Sequence, residues 1–216
     1  QEAPQVTLDV LTPSDVDFLD LEQGRLDMAI NRFDKIPQSF HQKTLWTEYF
    51  ACLMSARNPV LKQPFTLDAY LDGSHIWVSK TGFGVGVGVN PKDVQRLGWV
   101  DEALSLIGRK RRISVFTRHY QVAMLLAEQH DLIATLPSRA AWLQRDNPDL
   151  VVKVPPFEIP PFELKMAWSP LLQHNPDHQW LRRLIAEVAE EVDEEFAPFG
   201  VQFESADTQR VFHSER

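Results

Sequence analysis

Nine residues could hold a small ligand, and each follows directly on a run with β-strand character. Thr12 follows Val6–Leu11, and Asn31 with Arg32 follows Asp27–Ile30. Ser79, Lys80 and Thr81 end or follow the run His75–Ser79, His119 and Tyr120 follow Arg112–Thr117, and Pro137 follows Asp131–Thr135. Hydroxyls, amides and basic groups that lead into helix N-termini suit a small carboxylate or phenolic ligand, because the first N–H groups of a helix have no internal partner. Plainer roles stand beside this one. Ser79 and Thr81 also read as a strand-end turn, Arg32 as half of a surface ion pair, and His119 as a helix cap.

Several familiar chemistries fail on spacing. Gly82–Gly88 (GFGVGVG) follows a strand, but Val87 stands where a dinucleotide fingerprint needs its third glycine. Lys80-Thr81-Gly82 matches one motif of penicillin-recognising enzymes, yet no serine has a lysine three residues later to supply the nucleophile. His174 and His178 are four residues apart, but Asn175-Pro176 between them reads as a helix cap and first turn, so capping and surface roles fit them better than metal binding. Cys52 is the single cysteine, without a partner for a disulfide or a thiolate metal site. Neither G-x-S-x-G nor H-E-x-x-H occurs. No catalytic residue, metal or cofactor is therefore expected.

Charge narrows the partners. The 216 residues carry a formal net charge of −8, which gives no broad positive field for nucleic acid. Arg109-Lys110-Arg111-Arg112 reads as a solvated turn between a helix and a strand, and the acidic run from Glu187 to Glu195 as a solvated helix face. No apolar run is long enough to cross a bilayer, and Gln1–Pro4 has no leader character. With its lone cysteine, the chain is expected in the cytoplasm.

These residues are positioned by alternating strands and helices. The pattern reads as strand Val6–Leu11, helix 14–24 capped by Ser14 and stopped by Gly24, strand Asp27–Ile30, strand Tyr49–Ser55 and helix Thr66–Leu71. It continues with strand His75–Ser79, a helix within Asp93–Ile107 closed by Gly108, strand Arg112–Thr117, helix His119–Gln129 and strand Asp131–Thr135. Pro137 then opens a helix over 138–145, strands Leu150–Val154 and Glu163–Trp168 follow, and a long helix runs from Pro176 to about Phe196. Such alternation predicts an α/β fold with parallel strands and ligands at their carboxyl ends. Val154–Pro161, with four prolines, reads either as an edge-strand lead-in or as a stiff crossing between two lobes.

Five segments resemble LysR-type transcriptional regulators. They are Leu21–Ile30 (LEQGRLDMAI), Trp46–Met54 (WTEYFACLM) with Asn58-Pro59, His75–Ser79 (HIWVS), Asp131–Pro137 (DLIATLP) and Pro176–Arg182 (PDHQWLR). Their order and spacing span nearly residues 4–185 and are closest to the nodulation and aromatic-catabolism regulators. The resemblance implies a periplasmic-binding-protein type 2 architecture of two Rossmann-like lobes, with a ligand cleft between them. Lobe one would be residues 1–52 with 163–196, lobe two 53–162, and 197–216 a flexible tail. It also implies a small-molecule effector, a homodimer or homotetramer, and DNA contact through an N-terminal winged helix-turn-helix that this chain lacks. Gln1–Val6 matches the region just after the first helix of lobe one, and Gly84–Leu97 is longer than the family pattern. A solute-binding protein of a transport system, with the same fold, is the alternative.

Overall fold

The computed structural model describes residues 3–11, 17–33, 35–78, 98–117 and 119–211, with side chains as far as 203. In chain order the elements begin with α1 (Phe18–Glu22), β1 (Ala29–Asn31), β2 (His41–Glu48) and β3 (Phe50–Ser55). Next come α2 (Leu67–Asp72), β4 (Ser74–Val78), α3 (Trp99–Leu106), β5 (Arg112–Thr117) and α4 (Tyr120–Ala127). The last are β6 (Leu132–Pro137), α5 (Ser138–Trp142), β7 (Leu150–Lys153), β8 (Phe162–Trp168) and α6 (Pro176–Val211).

Two sheets share these strands. One has the order β1-β8-β2, all antiparallel, with a register shift between Thr44 and Trp46. The other has the order β5-β4-β6-β3-β7. Only β4 runs parallel to its neighbours β5 and β6, whereas β3 is antiparallel to both β6 and β7. The all-parallel expectation is thus corrected. Strands β3 and β7 carry the chain in from the first sheet and back out to it, so no crossover helix orients them as it does β4, β5 and β6.

The chain enters the second sheet through one residue, Tyr49, and leaves it through 154–161. The proline-rich stretch is therefore the crossing, and its Phe157 and Ile159 are buried against Tyr70 in the larger core. All of β3 is buried, as a central strand covered on both faces must be. Around it Tyr70, Ile76, Leu104, Ile133 and Leu136 are all but completely buried.

Local chemistry accounts for the helix ends. Thr66 caps α2 by accepting the Ala69 N–H at 3.3 Å. Helix α3 stops at Gly108, whose φ of 68° is left-handed. Helix α1 starts later than its apolar spacing predicts. Asp17 caps it, accepting the Leu19 N–H at 2.8 Å, and Asp20 returns a bond to the Asp17 N–H at 2.7 Å. Ser14 lies outside the described residues.

Three further expectations change. Val6–Leu11 joins neither sheet, and Val6, Leu8 and Val10 are exposed, because alternation makes a strand only where a neighbour supplies ladder partners. Strand β2 was not read from its polar sequence. The tail set down as flexible from residue 197 is instead helix as far as Val211, and Phe203 packs with Phe196, Ala51 and Ala141. Among the described residues, no helix is long and apolar enough to cross a membrane.

Candidate ligand site

The ends of β4 and β6 meet the starts of α3 and α4. Gly98, at φ 91°, opens α3 and turns Trp99 and Val100 toward the strand ends. Tyr120 opens α4, Pro137 ends β6, and Phe50 arrives from the crossing. Together with Val78, Arg111 and Thr135 they line a recess with a cavity volume of about 20 Å³, room for about one water and far below the ~300–1,000 Å³ usual for small-molecule sites. Its apolar wall is aromatic. Phe50 lies 5.7 Å from Trp99 between ring centroids, and Trp99 stacks on Phe162 at 5.4 Å.

The polar side is a buried relay. Arg111, its side chain 2% exposed, donates from Nε and Nη2 to the two carboxylate oxygens of Asp101 at 2.9 and 2.7 Å. Its Nη1 reaches the Tyr70 hydroxyl at 3.4 Å, which lies 2.9 Å from Thr135 Oγ1, itself 3.7 Å from Cys52 Sγ. Burial opposes the charge on Arg111, but the Tyr70 and Asp101 oxygens outweigh it and hold the guanidinium cationic. Burial pushes the Cys52 thiol up to about 12, so it is no nucleophile, and drives Tyr70 up as well. The Tyr120 phenol is pushed up to about 12 by burial and by the nearby Glu48 charge, so it stays a neutral hydroxyl. His75 is lowered to about 3 by burial and by the Arg111 charge, and its Nε2 bonds the Tyr70 carbonyl at 2.7 Å.

Of the nine sequence candidates, Tyr120 and Pro137 line the recess. Arg32 follows the end of β1 in the first sheet, and its guanidinium lies 4.3 Å over the ring of Trp99, which opens α3. Asn31 is buried, its Oδ1 accepting the Arg32 N–H at 2.8 Å while its Nδ2 has no hydrogen-bond partner. His119 is exposed and bonds Thr117 Oγ1 through its backbone N–H at 3.2 Å, away from the recess. Thr12, Ser79, Lys80 and Thr81 lie outside the described residues, as does the glycine-rich run Gly82–Gly88.

Sequence reasoning missed Arg111 and Thr135. The basic cluster is a turn in part only: Arg109 pairs with Asp68 and Lys110 is exposed, but Arg111 is buried and lines the recess. The signal was the acidic Asp101 on the preceding helix. His178 is likewise buried rather than superficial, its Nε2 bonding the Asp27 carbonyl at 3.0 Å and its Nδ1 facing Arg182 at 2.5 Å. Among the described residues, no group of three or more His, Cys, Asp or Glu is placed to hold a metal.

Behind Pro137 a second buried cluster joins the two sheets. Glu48, ending β2, accepts from Ser138 Oγ at 2.6 Å, the Arg139 N–H at 3.2 Å and Trp46 Nε1 at 3.1 Å. Arg139 faces Glu48 at 3.5 Å, donates to the Thr47 carbonyl at 3.0 Å, pairs with Asp193 of α6 and lies 4.2 Å over the Phe196 ring.

A sequence model of the LysR substrate binding domain matches residues 1–190. The chain belongs to that family. It is 29% identical over 185 residues to the HTH-type transcriptional regulator SyrM 1 of Sinorhizobium fredii, covering 84% of this chain and 51% of that protein. It is 26% identical over 192 residues to the HTH-type transcriptional activator NagR of a Ralstonia species, covering 88% of this chain and 60% of that protein. The chain thus spans about half the length of these relatives. The regulatory domain of MexT, a transcriptional activator in Pseudomonas aeruginosa, superimposes with a TM-score of 0.64 at 28% identity, covering 81% of this chain and 80% of that one. The two-sheet fold is therefore that of LysR effector-binding domains, periplasmic-binding-protein-like in architecture.

Proposed function

We propose that this chain is the effector-sensing part of a LysR-type transcriptional regulator, binding a small anionic or aromatic inducer where the strand ends of its second sheet form the recess. The observation that carries this reading is the convergence of strand ends and helix starts on one aromatic wall with a hydrogen-bonding floor of Arg111 and Thr135. Arg32, just beyond β1 of the first sheet, rests on Trp99 of α3, which packs with the second, so an inducer seated beside Trp99 would bias the angle between the sheets. Binding without turnover fits the wall, because its one thiol neighbour, Cys52, is buried and neutral. Regulators, rather than transport proteins, are what the relatives are named as, which favours the sensor over the solute carrier.

On this reading DNA contact belongs to a winged helix-turn-helix outside this chain, since the −8 charge offers phosphates no attractive field. The regulator would work as a homodimer or homotetramer in the cytoplasm and would not be an enzyme. A thermal-shift screen of small aromatics and organic acids, followed by calorimetry of the hits, tests the site. Thr135→Val and Tyr120→Phe should each weaken a hit by about tenfold, the value of one lost hydrogen bond in a buried site. Hits that bind both variants as tightly as the unaltered chain would place the ligand elsewhere.

A further inference from the structure

The first sheet carries a cavity of its own. Residues 183, 186, 187 and 190 recur at three- and four-residue spacing on α6, so they share the face that looks onto β2 and β8. Between that face and the strands lies a groove with a cavity volume of about 380 Å³, within the ~300–1,000 Å³ usual for small-molecule sites. Ala186 helps keep it open, because a methyl group is all that the helix presents at this buried position. The apolar lining continues with Met166 and Trp168 of β8, 1% and 8% exposed. Trp168 is fixed in place: its Nε1 donates to Gln173 Oε1 at 2.8 Å, and Arg182 lies 4.5 Å over its ring while donating to the Leu172 and Gln173 carbonyls. That wall is formed before any ligand arrives.

The rest of the lining carries both signs of charge. Lys43 of β2 and Glu190 of α6 face each other at 3.8 Å and answer one another. Arg183 and Glu187, one turn apart on α6, are joined neither to each other nor to any other described residue. The acidic run of α6 thus borders a cavity at Glu187 and Glu190. A ligand with one charge satisfies Arg183 or Glu187 and meets the other as a like charge. A ligand with both charges close together satisfies the two at once and leaves its apolar part for Met166 and Trp168.

We propose that this groove binds a zwitterion with an apolar side chain, the class represented by apolar α-amino acids. Its carboxylate sits on Arg183, its ammonium on Glu187, and its side chain on Met166 and Trp168. The groove belongs to the first sheet and the recess to the second, so this is a second small-molecule site that does not depend on the sensor reading.

Two matched sets of probes test this by calorimetric titration of the whole chain. One is L-phenylalanine with 2-phenylethylamine, which lacks the carboxylate, and 3-phenylpropanoate, which lacks the ammonium. The other is L-leucine with isopentylamine and 4-methylpentanoate. At least one amino acid should bind about tenfold more tightly than both of its one-charge relatives, the value of one charge-assisted hydrogen bond. Arg183→Gln should abolish its advantage over the amine, and Glu187→Gln its advantage over the acid. Ala186→Leu should block all binding by filling the groove, and Thr135→Val, in the recess, should change nothing. If Ala186→Leu does not fold, the two charge variants decide, since both lie at the open side of the groove.

No binding of either amino acid at millimolar concentration would overturn the proposal. So would a one-charge relative that binds as tightly as its amino acid. Amino-acid binding that weakens in Thr135→Val but ignores Arg183→Gln and Glu187→Gln would move the ligand to the recess, ending this proposal while upholding the sensor reading.

Discussion

A guanidinium whose side chain is 2% exposed must find a carboxylate, and Arg111 finds Asp101 ten residues before it, on the first turn of α3. Removing one partner leaves the other charged and buried. Asp101→Ala should therefore cost about 3–5 kcal/mol in urea unfolding, while an Asp101→Leu, Arg111→Met pair should recover most of it. A double variant no more stable than the single one would show that the pair contributes favourably in itself. His75 gives a second residue-level test. Its folded pKa, about 3, lies below the ordinary 6.5, so the unfolded chain takes up a proton that the folded chain refuses. Stability should fall as pH drops below 6.5, by up to about 1.4 kcal/mol per unit, until pH nears 3. His75→Gln, which keeps a donor for the Tyr70 carbonyl, should flatten that slope. An unchanged slope would assign the acid sensitivity to other groups. Neither role was legible in the sequence: Arg111 stands in a row of four basic residues, and burial is what separates it from Lys110 beside it.

Elements were legible where local pattern and tertiary partner agree. Strand β5 falls on the expected Arg112–Thr117, and α2 begins after the Thr66 cap. Strand β2 was missed because an edge strand with Gln42, Lys43 and Thr44 exposed carries no continuous apolar signal, and its pairing with β8 is all that defines it. Helix α6 was cut short because Pro198 lacks an N–H and Gly200 follows it closely, both ordinary stop signals. Packing overrides them: Phe196, Phe199 and Phe203 form a ladder with centroid spacings of 5.7 and 5.6 Å, and Phe196 meets Trp142 of α5 edge-on. Phe203→Ala should accordingly destabilise the chain by roughly 3 kcal/mol, the low end for a buried phenylalanine, as read from a thermal or urea midpoint. A change under about 0.5 kcal/mol, the scale of ordinary surface substitutions, would mean that the end of α6 is not part of the core.

Across the whole molecule the sheets are tied at Tyr49, at 154–161, and through the Glu48 cluster, which reaches from β2 through α5 to α6. The same cluster lies one residue beyond Pro137, which lines the recess. The Glu48 carboxylate accepts four hydrogen bonds in a site where it is 4% exposed, so β2 and the start of α5 move as one body while those bonds hold. Ligand binding beside Pro137 should consequently slow amide exchange in β2 and α6 as well as in β6, although neither touches the recess. Glu48→Gln keeps the shape but weakens these bonds, since a neutral amide accepts less strongly than a carboxylate. In that variant the ligand should still protect β6, with affinity changed less than about threefold, the range of a peripheral contact. Protection of β2 and α6 should fall toward that of the unliganded chain. Full protection of β2 in Glu48→Gln would move the coupling to the proline-rich crossing, where Phe157 and Ile159 share a core with Tyr70 beneath the recess.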